Sequence, residues 1–311
     1  MPMINEFVDG QRLTGQFLVG NITKGTNNFG STYLTIEFRD STGTISGKKW
    51  DSTEEDETIY ATGNVVNIEA EVLKYRDALQ LKVLSGKLVA MEDIDITKFT
   101  KAPPVAFEEL WERLNYYVSS IKDVDCKKIV AHFLKKYDAK LRVYPAGVSV
   151  HHEYASGLLV HITSMAKIAD FLAPLYDDIN RDVLITGVLL HDFGKMEEFE
   201  GPVVYHYTLE GKLLGHITMM VSEIRKIAEQ EKITSEVPLL LEHMVLSHHG
   251  DPEFGSPVIP MTKEAMLLSL IDNLDSKMVI TCKALEGVKP GEFSQRVFPL
   301  DGRVLYQPLK K

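Results

Sequence analysis

The hydrophobic pattern changes character about a third of the way along the chain. Between residues 11 and 90, apolar and β-branched residues come in short runs that end at turn residues, as in a β-strand region. The runs predict five strands, at 13–22, 32–38, 44–50, 65–75 and 78–84. The acidic segment 51–58 is expected to be a loop or a short helix. Five short strands at this spacing predict a small Greek-key barrel, for which an OB-fold is the best candidate.

Beyond residue 105 the apolar positions recur every three or four residues, which is the period of amphipathic helices. This spacing predicts helices near 107–121, 129–137, 153–173, 183–190, 214–228, 237–246 and 263–285. The chain is therefore expected to be a multi-domain α and β protein. Its predicted parts are a five-stranded OB-like barrel at 1–90, a connector with linking helices at 91–144, an all-α domain at 145–285 and an irregular tail at 286–311.

Composition narrows the class of protein. Hydrophobic residues make up 44% of the chain and charged residues 25%, as in ordinary globular domains. The chain contains no run of 18 apolar residues and no secretory signal, so no membrane span is predicted. Only Cys126 and Cys282 occur, which excludes a disulfide framework and favours a reducing cytoplasm. The net charge of −10 argues against strong, sequence-blind binding to duplex nucleic acid.

Several histidines and aspartates fall at marked positions of the predicted helices. An ionised carboxylate inside an apolar helix is costly unless it is paired or bound to a metal. Imidazole nitrogen and carboxylate oxygen together suit Mn, Fe, Co, Ni or Zn. The ordered set therefore predicts a metal site whose ligands are, in chain order, His161, His191, Asp192, His216, His248, His249 and Asp272.

Each of these residues has a simpler explanation when it is taken alone. His161 could be a satisfied core histidine, and His216 an exposed residue in a first helical turn. Asp272 could lie on a polar face, with Asp275 as a rival ligand one turn later. His248 and His249 could interact with the dipole at a helix end. Only the set as a whole favours a metal.

Three other histidines, His132, His206 and His243, belong to no motif and are predicted to be structural. The adjacent pair His151 and His152 is open between two roles. These residues could contact the substrate or the surroundings of the metal site, or they could cap the helix that is expected to begin near Glu153.

A histidine, then His-Asp followed by Gly-Lys, then a late aspartate is an order that resembles the HD-domain phosphohydrolase superfamily over about residues 145–285. The additional histidines resemble its binuclear branch. The resemblance implies that His161, His191, Asp192 and Asp272 hold one metal. It implies that His216, His248 and His249 hold a second metal, with Asp192 bridging the two. Lys195 would then neutralise charge on a phosphate oxygen as a second catalytic residue beside Asp192.

The barrel, the HD region and the segment 151–161 (HHEYASGLLVH) together resemble the YhaM-type bacterial 3′→5′ exoribonucleases over nearly the full chain. That resemblance implies an enzyme with two divalent metals, Mn²⁺ or else Co²⁺ or Fe²⁺. It also implies a single-stranded RNA substrate, with single-stranded DNA as a second substrate, and a homo-oligomer.

In the predicted barrel, aromatic and basic residues are candidates for gripping a single strand, since such folds combine stacking platforms with a basic groove. These nucleic-acid-binding candidates are Tyr33, Trp50, Lys24, Lys48 and Tyr75. Phe38 is expected to fill the barrel core instead. Residues 1–90 carry a net charge of −3, so the grip is expected to be local or to depend on several subunits.

Two further functions remain open at this point. An HD enzyme could instead hydrolyse a nucleotide or a cyclic dinucleotide, although such an enzyme needs no strand-gripping module and no Gly-Tyr-Pro triplet follows His191-Asp192. Alternatively, the chain could be a nucleic-acid-binding regulator with an inactive HD site. The intact ligand set speaks against that hypothesis.

Overall fold

The computed structural model describes residues 3–27, 29–76, 78–99, 105–142, 144, 156–201 and 205–309. The chain divides into two compact units. The first comprises Met1–Ala102 with Glu200–His206, and the second comprises Pro103–Phe199 with Tyr207–Lys311. His151 and His152 lie outside the described residues, as does the predicted helix start near Glu153.

The first unit contains a closed five-stranded barrel with strand order β1-β2-β3-β5-β4, and the prediction of an OB-like barrel is confirmed. Its strands are β1 (Arg12–Thr26), β2 (Thr32–Asp40), β3 (Gly43–Trp50), β4 (Val65–Tyr75) and β5 (Ala78–Leu88), with helix α1 (Glu54–Ile59) between β3 and β4. Strand β1 pairs with β4 through its first half and with β2 through its second half. A register shift between Val19 and Asn21 marks this change of partner, as expected where a bulge bends a strand.

Alternation along the strands separates an inner from an outer barrel face. The inner positions Leu34, Ile36 and Phe38 of β2 are fully buried, while Tyr33 and Thr35, which alternate with them, are partly exposed. Phe38 lies in the barrel core together with Phe17 and Tyr60, so the prediction for Phe38 is confirmed. The acidic segment after β3 becomes α1 because Thr53 and Asp56 form a reciprocal capping box at its start.

The second unit is helical, as predicted. Its helices are α2 (Phe107–Ser120), α3 (Val124–Leu141), α4 (Gly157–Leu172), α5 (Arg181–Leu190), α6 (Lys195–Glu198), α7 (Leu209–Gln230), α8 (Val237–Ser247) and α9 (Lys263–Leu285). Two short strands, β6 (Phe199–Glu200) and β7 (His206–Tyr207), pair between α6 and α7. Helix α5 lies at the centre, since it packs on α3, α4, α8 and α9. After α9 the tail has only two isolated β-bridges and a 3₁₀ turn among its described residues.

One described segment, Gly157–Leu175, is long and apolar enough to cross a bilayer by length and composition alone. The central helix of a globular unit meets the same criterion. Helix α4 makes up most of this segment and packs on α2, α5 and α9, and more than half of the segment is buried. Burial within the helical unit therefore accounts for its apolar character.

Candidate metal centre

The His191-Asp192 pair follows directly on α5, a helix whose last eight residues, Val183–Leu190, are all buried. Phe193 anchors the pair, because its fully buried ring makes edge-on contacts with Phe133 and Tyr137 of α3. Asp192 is only 2% exposed. The backbone therefore holds a carboxylate where water cannot solvate it, and its partners have to come from the protein or from a cation.

The two carboxylate oxygens of Asp192 face different pairs of histidines. Its Oδ2 lies 3.5 Å from Nε2 of His191 and 3.8 Å from Nε2 of His161. Its Oδ1 lies 3.7 Å from Nε2 of His216 and 3.7 Å from Nε2 of His248. Two ligands that bind one ion at about 2.1 Å and at about 90–110° to each other are separated by about 3.0–3.4 Å. Asp192 thus faces two ligand sets, each with spacings close to those around one ion.

Asp272 and His249 extend these two sets. Asp272 reaches across from α9, and its Oδ1 lies 3.3 Å from Nε2 of His161. His249 stacks edge-on against His248, with ring centroids 4.1 Å apart. Potential ligand atoms lie within 4.8 Å of one another in three groups: His161, His191 and Asp192; His191, His248 and Asp272; and His216, His248 and His249. The structure therefore brings all seven predicted metal ligands into one cluster.

The ring nitrogens that face away from the cluster are held by acceptors. The Nδ1–H of His191 donates to the carbonyl of Val188 (2.9 Å), and that of His248 to the carbonyl of Val245 (2.7 Å). A carbonyl only accepts, so these contacts assign the proton to Nδ1 and leave the lone pair of Nε2 directed at the cluster. This is the arrangement that orients histidine ligands in metal proteins.

Two carboxylates do the same for the other pair of histidines. Nδ1 of His161 lies 2.8 Å from Oδ2 of Asp275, whose other oxygen accepts from the hydroxyl of Ser164. Nδ1 of His216 lies 3.0 Å from Oε2 of Glu198, and Oε1 of Glu198 accepts from the backbone N–H of His216. Asp275 is therefore an orienting residue rather than the rival ligand that the sequence had left open.

Sequence reasoning missed Glu198 altogether. It lies one turn after Lys195 in a four-residue helix, a spacing that carries no recognisable signal. The structure explains how it reaches His216. A side-chain carbon on Gly194 would lie 2.3 Å from the carbonyl oxygen of His216, so only glycine permits this approach of α6 to α7. Gly215 has a φ of 70°, which kinks α7 just before His216 and favours glycine there.

Buried polar atoms without hydrogen-bond partners show that the cluster fits a divalent cation. Within the described part of the chain, the Nε2 atoms of His191, His216 and His248 are buried without a hydrogen-bond partner, as is Oδ1 of Asp192. Nδ1 of His249 is buried and unsatisfied too. Each such atom costs about 1–3 kcal/mol when it is left unpaired, so a convergent group of five requires a ligand. Electron-pair donors of mixed nitrogen and oxygen type suit a transition-metal cation.

The electrostatics keep these donors in the form that a metal needs. Burial alone would raise the pKa of Asp192, but Lys195 and His191 lower that pKa well below its usual range. Burial lowers the pKa of His248 and of His249, so both rings stay neutral. Burial also opposes charge on His161, yet Asp272 and Asp275 raise its pKa to about 9. That site thus attracts a positive charge, which is either a proton or a cation that displaces it.

Lys195 lies at the edge of the cluster. Its Nζ is 2.7 Å from Oδ2 of Asp192, and its side chain is 15% exposed. Burial opposes its charge, but Asp192 more than compensates and raises the pKa of the lysine. The ammonium group is therefore protonated and stands next to the carboxylate that both ligand sets share.

In the barrel unit, three of the predicted nucleic-acid-binding residues share one outer face. Tyr33 pairs with Trp50 across β2 and β3, and their ring centroids are 5.0 Å apart. Nζ of Lys48 lies 4.7 Å from the centroid of Tyr33 and 5.1 Å from that of Trp50. Trp50 is 41% exposed. This pair with its lysine offers a flat aromatic surface and a positive charge on the outside of the barrel.

The other two candidates lie elsewhere. Lys24 forms an ion pair with Glu57 of α1 and does not join the Tyr33–Trp50 surface. Tyr75 ends β4 at a hairpin tip, is 59% exposed and lies under Arg76, at 5.3 Å. The structure adds two residues that sequence reasoning missed. Lys82 of β5 is in register with Lys48, and Phe29 is 94% exposed between β1 and β2.

The three histidines predicted to be structural lie outside the cluster. Nε2 of His243 accepts from the backbone N–H of Met261 at 2.9 Å. His132 lies 3.8 Å from Glu223, and His206 is exposed in β7.

Comparison with known proteins places this architecture in a family. The family model described as HD domain matches residues 158–277, which include all seven candidate ligands of the cluster. The 3′-5′ exoribonuclease YhaM of Geobacillus sp. is 43% identical over 96% of this chain and 93% of its own length. The proteins of the same name from Bacillus velezensis and Bacillus subtilis are 43% and 42% identical, each over 96% of both chains. The chain belongs to the YhaM family.

Membership of the YhaM family agrees with the resemblance found in the sequence, and the HD domain implies the use of divalent metal ions. Among solved structures, the second OB-fold domain of replication protein A from Methanococcus maripaludis matches 28% of this chain and 93% of its own, at 17% identity and a TM-score of 0.24. The OB-like assignment does not depend on that match, because the closed barrel and its strand order are visible directly.

The division of the carboxylate between two ligand sets predicts different metal losses for two variants. Asp192→Ala removes an oxygen from both sets and should leave less than one Mn²⁺ per chain. His216→Ala affects one set only and should leave about one. The measurement is metal content by mass spectrometry after loading with Mn²⁺ and desalting.

Asp178→Asn is the matched control, because that carboxylate is 90% exposed and pairs with Lys263 at the surface, and asparagine tolerates the φ of 60° at this position. It should keep the wild-type metal content. If His216→Ala lost all metal, or if Asp192→Ala kept two ions, the assignment of the carboxylate to two sets would be wrong.

Proposed function

We propose that this protein is a metal-dependent 3′→5′ exoribonuclease that hydrolyses phosphodiester bonds of single-stranded RNA, and also of single-stranded DNA. The observation that carries the proposal is the full-length match to YhaM proteins, which covers the barrel and the HD domain together. A metal cluster alone would suit any HD phosphohydrolase. The added barrel, with an aromatic and basic outer surface, suits a substrate that is a strand.

The proposed cofactors are two divalent metals. His161, His191 and Asp272 would hold one ion, and His216, His248 and His249 the other, with one oxygen of Asp192 directed at each. Mn²⁺ is proposed, with Co²⁺ and Fe²⁺ as alternatives, since these ions accept mixed imidazole and carboxylate ligands. Two such ions supply a nucleophile at neutral pH and charge neutralisation around the reacting phosphate.

The chain's own residues perform the remaining tasks. Asp275 and Glu198 keep the imidazoles of His161 and His216 directed inward while substrate enters. The protonated Lys195 donates to a non-bridging phosphate oxygen, because its ammonium group is at the partly exposed edge of the cluster. The buried side of the cluster excludes water, which strengthens each of these interactions.

We expect the barrel to hold RNA by stacking more than by charge. The Tyr33–Trp50 pair provides the platform, while Lys48 and Lys82 on the same face meet the phosphates. Trp50→Ala should weaken binding of a single-stranded oligonucleotide by about tenfold, because one base–aromatic contact contributes about 1–3 kcal/mol. The measurement is fluorescence anisotropy of a labelled RNA in the absence of turnover. The control is Tyr116→Ala, which removes an aromatic ring that is 60% exposed on α2; equal losses in the two variants would contradict the platform.

The end of the RNA at which cleavage begins tests the proposed activity. Single-stranded RNA carrying a 5′ label should shorten stepwise in the presence of Mn²⁺, and the same RNA with a 3′ label should release labelled mononucleotide first. Asp192→Ala should remove both signals while the circular dichroism spectrum of the protein stays that of the wild type. Hydrolysis of a free nucleotide or a cyclic dinucleotide, with intact RNA, would refute the exonuclease. An absence of any hydrolysis by the metal-loaded protein would favour a regulator.

A homo-oligomer is also proposed, from an apolar ridge on α9. Four residues spaced by four positions are about half exposed: Met266 (47%), Leu270 (58%), Leu274 (48%) and Met278 (52%). A continuous exposed apolar surface marks an interaction site. A row of side chains spaced by four is self-complementary, because such rows interdigitate when two helices cross. The partner that fits this ridge is the same ridge on a second copy of the chain.

Leu274→Glu should therefore lower the mass of the protein measured by light scattering at micromolar concentration. Leu239→Glu, on a leucine that is 56% exposed on α8, should not. A monomeric wild type, or an unchanged mass in Leu274→Glu, would contradict the ridge contact.

A cytoplasmic location is proposed as well, from the two unpaired cysteines.

A further inference from the structure

The metal cluster is buried on one side and open on the other. The side chains of His161, His191 and His248 are fully buried, and that of Asp192 is 3% exposed. The side chains of His216 and Asp272 are 13% and 15% exposed, and His249 is partly exposed. A substrate phosphate therefore approaches the face on which His216, His249, Asp272 and Lys195 are partly exposed. The rings of His216 and His249 on this face lie 5.6 Å apart.

Large exposed apolar residues adjoin both of these histidines. Leu214, which is 53% exposed, precedes Gly215 and His216 directly in the chain. Phe254, which is 64% exposed, precedes Gly255, and a side-chain carbon built on Gly255 would lie 3.6 Å from Nδ1 of His249. Consecutive Cα atoms are about 3.8 Å apart. The Cα atoms of Leu214 and Phe254 therefore lie within about two such steps of a candidate ligand histidine.

The turn that carries Phe254 is closed by backbone hydrogen bonds. It is a 3₁₀ turn, Pro252–Phe254, closed by the N–H groups of Phe254 and Gly255, which donate to the carbonyls of Asp251 and Pro252 at 3.0 Å. Gly255 ends it with a φ of 99°. A residue whose backbone is already held in a hydrogen-bonded turn has only side-chain freedom left to lose when it packs against a ligand.

The charges around Phe254 select the part of the substrate that it meets. Asp251 and Glu253, which flank it on the same turn, are exposed carboxylates. They repel phosphate, whereas a nucleobase is neutral and offers a flat face. An exposed aromatic ring in an acidic setting beside a phosphate-cleaving centre therefore matches a base rather than the backbone.

From these observations, and on the basis of the proposed function, we infer that Phe254 and Leu214 form a clamp for the base of the 3′-terminal nucleotide. Phe254 stacks on the base from the side of His249, and Leu214 contacts it from the side of His216. Stacking and apolar contact do not distinguish one base from another, since every base has a π-face. The clamp would thus hold the terminal nucleotide in the metal centre without restricting the RNA sequence.

The test compares a normal RNA with one whose 3′-terminal nucleotide lacks its base. For the wild type, removal of the base should raise KM by about tenfold. Phe254→Ala should raise KM for the normal RNA by about as much, with kcat and metal content nearly unchanged, but should add less than twofold for the abasic RNA. Non-additivity of this kind identifies a contact between the two groups. Phe254→Trp, which keeps an aromatic ring at this position, should have about the wild-type KM.

Phe171→Ala is the matched control, because Phe171 is 71% exposed and lies ten residues, or about 15 Å along α4, beyond His161. If Phe254→Ala behaves like this control, or if its effect and the loss of the base simply multiply, the clamp does not exist. A wild type that releases no mononucleotide would instead refute the proposed function. Binding gives an independent readout: Phe254→Ala and Leu214→Ala should weaken a nucleoside 5′-monophosphate but not ribose 5-phosphate, and equal weakening of both would overturn the proposal.

Discussion

The ionised carboxylate of Asp192, buried at the end of α5, is the constraint on which the catalytic unit depends. A charge in that position costs several kcal/mol unless it is surrounded by compensating groups. Helices α4, α7, α8 and the segments around them each supply an imidazole within 3.8 Å of one of its oxygens, and Lys195 supplies a positive charge. An apolar residue would pack there at lower cost. The cluster is therefore better explained by the binding of cations than by stability.

The histidine rings of the cluster are oriented in two different ways. On each side of Asp192, one histidine is oriented by its own helix and one by a distant carboxylate. His191 and His248 both donate to the carbonyl three residues earlier, which any histidine at a helix end can do. His161 and His216 depend on Asp275 and Glu198, which lie 114 and 18 residues away. The two carboxylates add negative charge beside the rings that they hold and so strengthen them as ligands.

The contrast between local and distant partners explains which parts of the site could be predicted from the sequence. The residues that converge in the cluster could be named as candidate ligands, because histidines and aspartates inside apolar helices are conspicuous and their order resembles that of a known superfamily. The barrel could be predicted from strand spacing, and Phe38 from alternation. Glu198 could not be found, because its role arises only when α6 and α7 approach at Gly194 and Gly215. Lys24 shows a different limit: the sequence makes it a candidate for binding the strand, but its ion pair with Glu57 is visible only in the structure, and its role stays a prediction.

An acidic protein that acts on RNA needs a source of affinity other than phosphate neutralisation. The net charge is −10, and two of the positive side chains named as candidates form ion pairs, Lys24 with Glu57 and Lys195 with Asp192. Affinity that comes from phosphate contacts grows with the number of counterions released, so it has to be small here. The proposed alternative is stacking on the exposed rings of Trp50 and Phe254 and the partly exposed ring of Tyr33, since stacking is independent of net charge and of base identity. An exonuclease that removes whichever nucleotide is last requires that tolerance, because a site that recognised base edges would stall at three nucleotides out of four.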